Sequence, residues 1–154
     1  MIAWWYAFIL LVSIVSLSRS IVKIPDCSQL RPYNMRPDMR DDLAGKVLIR
    51  APNRGVSASM AYLCALEGMA GLILEKLEKP LTCPNSLGMY SLIFELTNIT
   101  RFSDASADVD FTEKLTSAAI EHWKEHIPRV TFATSFGCNY RKEHGKHKFL
   151  CLLK

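Results

Sequence analysis

Between residues 110 and 151 a helical apolar pattern runs into two β-rich stretches, each carrying or adjoining a cysteine. Phe111, Leu115, Ala119 with Ile120, Trp123 and Ile127 recur at intervals of three and four, which puts them on one side of a helix. Asp110 can cap the first turn, Glu113 stands where a capping box needs it, and Pro128 ends the run because it lacks a backbone donor. Next come VTFATSF and KFLCLL, rich in β-branched and aromatic residues or continuously apolar, on either side of the polar, glycine-bearing RKEHGKHK. That pattern predicts a hairpin whose strands Cys138 and Cys151 could tie. Such a bridge closes a loop of about a dozen residues and is worth on the order of 3 kcal/mol. The rest of the chain is expected to pack on this unit, which points to a fold and a compartment but to no reaction.

The compartment follows from the front of the chain. MIAWWYAFILLVSIVSLSRS holds no acidic residue, and its apolar run from Ile2 to Val15 is short for a bilayer span. Small residues follow at cleavage spacing, Ser16 with Ser18 or Ser18 with Ser20. Residues 1–20 are therefore expected to be a signal peptide, and 21–154 one domain with no membrane segment after cleavage; the rival is an uncleaved anchor. The formal charge of +4 stays at +4 or falls to +3 with Arg19, too mild for the basic face of a nucleic-acid binder. Export makes disulfides the default for the five cysteines, at 27, 64, 83, 138 and 151. Their odd number leaves one thiol over, buried or open to a partner, and the absence of C-x-x-C spacing argues against a zinc knuckle.

Residues 21–37 hold three prolines and little periodicity, the pattern of an extended arm anchored at Cys27. Pro37 and Asp38 introduce a helix, DMRDDLAGKVLIRA, with Met39, Leu43, Val47 and Arg50 on one side. A second helix is expected from Ser57 or Ser59 to Lys79, striped by Leu63, Leu66, Ala70, Ile73, Leu74 and Leu77, with Glu67, Glu75, Lys76, Glu78 and Lys79 in solvent. Gly68 and Gly71 weaken that helix or mark the close approach of a neighbour. Around Cys83 the chain is turn-rich, and GMYSLIFEL fits either a short strand or a buried helical turn. Asn98-Ile99-Thr100 is an N-glycosylation acceptor, which in an exported chain implies an exposed loop that continues over the polar residues 100–109.

Three blocks then occur in a telling order. The first is Met35 to Arg40, the pair Asn53 and Arg54, and Met60-Ala61-Tyr62-Leu63-Cys64-Ala65-Leu66-Glu67 with Ala70 after it. The second is Ala119-Ile120 with Trp123 and Glu125, and the third Ala133-Thr134-Ser135-Phe136-Gly137-Cys138 followed by Phe149-Leu150-Cys151. With the leader and the cysteine positions, these resemble the CAP superfamily of cysteine-rich secretory, antigen 5 and pathogenesis-related proteins, in its nematode activation-associated or Ancylostoma-secreted form. The resemblance implies an α+β fold, an α-β-α sandwich with a small antiparallel sheet between helices. It also implies bridges Cys138–Cys151 and Cys27–Cys64, leaving Cys83 as the odd cysteine.

Many members of that superfamily hold a divalent metal in a cleft of two histidines and two glutamates. Here HIPRVTF, between Glu125 and Ala133, is too short for the H-F-T-Q type motif that brings one histidine. PNS stands where the other would follow Cys83, and no glutamate occupies the G-E-N position near Gly88. Glu125 is the sole counterpart, and one carboxylate does not make that site, so neither metal nor cofactor is expected and the cleft should be shrunken or filled.

Other chemistry is weakly encoded. His122-Trp123-Lys124-Glu125-His126 spells H-x-x-E-H, but a hydrolase of that kind needs a distant third ligand and little chain follows. The two histidines are expected at the boundary of the helix's buried stripe. Cys83 has no local partner for a nucleophilic dyad. Arg141, Lys142, His144, Lys146, His147 and Lys148 should crowd the hairpin tip, as a solvated turn or as a contact for an acidic partner. The expectation is a secreted, extracellular, glycosylated, venom allergen-like protein that is not an enzyme. It would act by binding an extracellular protein, glycan or lipid in host interaction or immunomodulation, as a monomer or a Cys83-linked dimer. The alternative is a carrier of sterol or another lipid.

Overall fold

The computed structural model describes residues 24–52, 60–76, 82–97 and 108–154, with the backbone alone at 82, 83 and 108–110. The expected signal peptide, Asn98 and the side chain of Cys83 lie outside the described residues, as do the outer ends of the expected second helix.

The arm carries a 3-10 turn at Ser28–Leu30 and leads into helix α1, Pro37–Arg50. Proline in the first turn costs α1 nothing, because the first helical N–H groups have no internal partner, and Asp38 there opposes Arg50 in the last turn. Met39, Leu43, Ala44 and Val47 are buried, whereas Arg50 is exposed and not on the buried side.

The second helix starts later than its stripe predicts. Residues 60–63 are extended, and Ala61–Tyr62 form a short strand, β1; helix α2 is Cys64–Glu75. The Ala61 N–H donates to the Thr134 carbonyl at 3.0 Å and the Leu63 N–H to the Phe136 carbonyl at 2.8 Å. Tyr62 turns its ring edge onto Phe136, with centroids 5.2 Å apart. Apolar spacing alone cannot separate this extended entry from another helical turn, since Met60 and Tyr62 are buried either way.

After a short helix α3, Thr82–Ser86, the ambiguous GMYSLIFEL resolves as strand β2, Tyr90–Leu96. Helix α4 spans Asp108–Trp123. It begins before Asp110, which therefore lies within its first turn, and stops short of Pro128, which sits instead in a separate 3-10 turn, Ile127–Arg129. Strands β3, Ser135–Glu143, and β4, Lys146–Leu153, form the hairpin. Val130–Thr134 stay outside it, and Arg141–Glu143, expected in the loop, continue the ladder. The turn is only His144-Gly145, with φ of 49° and 75°, the pair of positive values that a tight hairpin matching strand twist requires.

The sheet order is β1-β3-β4-β2, antiparallel except for β1, which joins β3 in parallel. Alternation along the strands makes two faces. Phe136, Cys138, Leu92, Phe94, Phe149, Cys151 and Leu153 meet α1 and α4, while Leu150, Leu152 and Met89 meet Leu66, Ala70 and Leu74 of α2. Helices on both faces of a central sheet give the α+β, α-β-α sandwich. Trp123 covers the open side of β2 by donating its indole N–H to the Ile93 carbonyl at 3.0 Å. Cys138 and Cys151 face each other in the β3/β4 register and are bridged, with Cα atoms 4.0 Å apart. Cys27 is bridged to Cys64, which ties the arm to the first residue of α2.

Candidate functional site

Glu67 was expected in solvent but is fully buried. It lies on the same helical face as Ala70, Gly71 and Leu74, so the stripe itself carried the signal that its charge concealed. Its Oε1 accepts the Met35 N–H at 2.7 Å, and its Oε2 accepts the Tyr62 hydroxyl at 2.6 Å. The Tyr62 oxygen also lies 3.1 Å from the Cys138 carbonyl and accepts the Cys138 N–H at 3.4 Å. Burial, then the Glu67 charge, pushes the Tyr62 phenol far above its usual range, so it stays protonated. Arg40, 4% exposed, sits 3.7 Å from Glu67 Oε2, and its Nε and Nη1 make no hydrogen bond. Asn139 completes the centre: its Nδ2 donates to the carbonyls of Tyr33 at 2.6 Å and Glu67 at 3.0 Å. A Cβ at Gly71 would stand 2.7 Å from that nitrogen, so this glycine does mark a close approach.

This centre joins arm, α1, α2 and sheet, and it is closed to substrate. Both carboxylate oxygens of Glu67 are engaged with the protein, and the phenol beside them is held neutral. Its work is structural.

A second polar seam runs between α1 and α4, where Asp38, Asp42, Thr112 and Glu113 line a cavity of about 130 Å³. The chain's own cations already serve it. Arg36 pairs with Asp38 at 2.5 Å, and Lys46 Nζ reaches Asp42 at 2.6 Å, Thr116 at 2.8 Å and Ser117 at 3.0 Å. The Arg36 hydrogen bond holds the Asp38 carboxyl down at about 2.

The residues singled out from sequence are dispersed. Because α4 stops at Trp123, His126 falls in the following turn and not one helical turn beyond His122. Both are exposed; the His122 ring stands 5.5 Å from that of Phe94, and His126 Nδ1 lies 3.2 Å from the Tyr90 hydroxyl. Glu125 is 70% exposed and meets Arg129 at 3.9 Å. Among the described residues no three His, Cys, Asp or Glu side chains gather as metal ligands would.

The expected basic crowd at the hairpin tip is divided. His147 is buried, Lys146 pairs with Glu95 at 2.9 Å, and Lys148 with Glu143 at 3.6 Å. Two interleaved carboxylates and one buried ring weaken any polyanion surface there. On the outer side of α2, Ala65, Met69 and Leu72 share a face, with Leu72 51% exposed and Leu63 also in solvent at its start.

A model of the family described as Ancylostoma-associated secreted protein related matches residues 27–153. The chain belongs to that family. It thereby falls in the CAP superfamily, among the nematode Ancylostoma-secreted-like proteins. No curated protein matches it significantly. Among solved structures, Ancylostoma-secreted protein Ac-ASP-7 aligns over 85% of this chain and 73% of its own, at 12% identity and a TM-score of 0.55. A structure described as manganese-bound Ac-ASP-7 aligns over 86% and 76%, at 13% identity and 0.58. Na-ASP-1 aligns over 85% of this chain and 42% of its own, at 16% identity and 0.57. At such identities these likenesses establish the fold.

Proposed function

We propose that this family member is a secreted, non-enzymatic protein that acts by binding an extracellular partner in host interaction. The observation that carries the reading is the fate of its carboxylates: Glu67 is consumed inside the scaffold, and Glu125 stands in solvent beside Arg129. An acid–base or metal mechanism needs such groups brought together in a sheltered cleft. The bridges Cys27–Cys64 and Cys138–Cys151 support an oxidising, extracellular setting.

One structure of Ac-ASP-7 is described as manganese-bound. Glu125, which the resemblance offers as the counterpart of a cleft glutamate, has an arginine and no histidine against it, and His122 and His126 turn to Phe94 and Tyr90. That donor set does not fit a divalent metal.

The experiment is surface plasmon resonance of the oxidised chain against fractionated host extracellular protein, neutral and anionic lipid vesicles, and heparin. Saturable, salt-resistant binding to a protein fraction, weakened at least about tenfold by Leu72→Asp, supports the reading. Saturable binding to lipid alone would replace it with the carrier reading, salt-sensitive retention on heparin alone would point to the hairpin, and no binding would overturn it.

A further inference from the structure

His147 is the buried member of the chain's four histidines; His122, His126 and His144 are all exposed. It lies on the α1/α4 face of β4, 2% exposed, with its Nδ1 2.6 Å from the Tyr140 hydroxyl and its ring stacked on that of Tyr140. The Phe111 ring, in the opening turns of α4, packs edge-on against it with centroids 5.5 Å apart. Its neighbours across the sheet are Lys142 on β3 and Leu96 on β2.

We propose that His147 is an acid-sensitive latch that holds the hairpin tip against the start of α4 at neutral pH and releases it when its ring is protonated.

Neutral and cationic groups surround the ring. From β3 come the neutral Tyr140 hydroxyl and the Lys142 ammonium; from β2 comes Leu96, and from α4 Phe111. The Arg36 charge is felt at Tyr140, from the arm side. The carboxylates on the neighbouring rungs, Glu95 and Glu143, are paired with Lys146 and Lys148. A protonated ring would be a desolvated cation facing the Lys142 ammonium across the ladder. Burial first, and Lys142 second, lower the affinity of the folded ring for a proton below that of a free histidine. The sign follows. Well above pH 6.5 the ring is neutral in both closed and open forms and the latch is complete; as the pH falls through that value the open form takes the proton first and gains population. The Cys138–Cys151 bridge, toward the other end of the hairpin, confines the release to the tip.

The test is NMR of the oxidised chain from pH 8 to 4.5. It follows the four imidazoles and the exchange of the amides at 141–148 and 111–114, corrected for intrinsic exchange. The expected result is a His147 titration below pH 6.5, and from pH 7.5 to 5 an opening of the tip amides enhanced about tenfold or more, absent in His147→Phe. A titration at or above 6.5, equal acceleration in the variant, or uniform acceleration through the whole chain would overturn the proposal. If His147→Phe fails to fold, the wild-type titration and the pattern of its amides decide the matter.

Discussion

A methyl group placed on Gly137 would stand 2.5 Å from the backbone nitrogen of Glu67. Strand β3 and the first turn of α2 thus touch backbone to backbone, and the same approach aims the Glu67 side chain into the seam with α1 and the arm. Neither main chain can yield as a flexible side chain would. Gly137→Ala should cost about 3 kcal/mol, read as a lower urea midpoint. Gly45→Ala is the control: nothing lies within 4 Å of its added carbon, in the middle of α1, so it should stabilise by about 0.5–1 kcal/mol.

Removing the Glu67 charge takes from buried Arg40 its buried counter-charge and leaves it the exposed Asp41 carboxylate, 3.8 Å from its Nε. Glu67→Gln should cost about 3–5 kcal/mol even though it keeps an acceptor for Met35. Adding Arg40→Met to that variant should recover part of the loss. A double-mutant cycle from denaturant melts reads the coupling, and simple additivity would mean that the two side chains stand independent.

The two bridges should fail differently. Replacing Cys138 and Cys151 by serine should cost about 3 kcal/mol and leave the hairpin paired, because the ladder and core hold it. The Cys27–Cys64 bridge closes a longer loop, with a separation of 37 against 13, so replacing it should cost about 4 kcal/mol. The replacement should also loosen the start of the arm, because the hydrogen bonds of Tyr33 and Met35 and the burial of Met35 hold only its later residues. Limited proteolysis should then cut within residues 24–36 in the second variant and not in the first.

Acid stability has a marker in Asp38. Its folded carboxyl is held at about 2 by the Arg36 hydrogen bond, with burial opposing. The resulting stabilisation is complete above the ordinary value of 3.8 and is lost as the pH falls through 2. Both side chains are about half exposed, so the contribution is at most about 1 kcal/mol and should fade in salt. Asp38→Asn should therefore lower the melting temperature slightly at pH 7, where the contribution is whole, and the gap to wild type should close as the pH falls toward 2.

Much of this architecture was legible in the residues, because the hairpin and the helices announce themselves by period. The limits of each element were not. His144-Gly145 supply a tight turn inside a run that looked like a long polar loop, and the entry Met60–Leu63 shares its apolar spacing with the helix that follows. Within the centre of the protein, charge was the misleading cue. Glu67 looked solvated although its position placed it beside Ala70 and Leu74, and His147 was hidden among lysines whose alternation along β4 turns it inward. Side-chain partners such as Met35, Tyr62 and Asn139 come from distant segments, which no local pattern encodes.

The chain keeps its family's scaffold, with Glu67 spent inside it and Glu125 out in solvent, and we propose that its surface acts by binding. Calorimetric titration of the oxidised chain with manganese and zinc, beside Glu125→Ala, tests it most directly. The account predicts no saturable heat that depends on Glu125. One metal bound per chain, lost in Glu125→Ala, would contradict it.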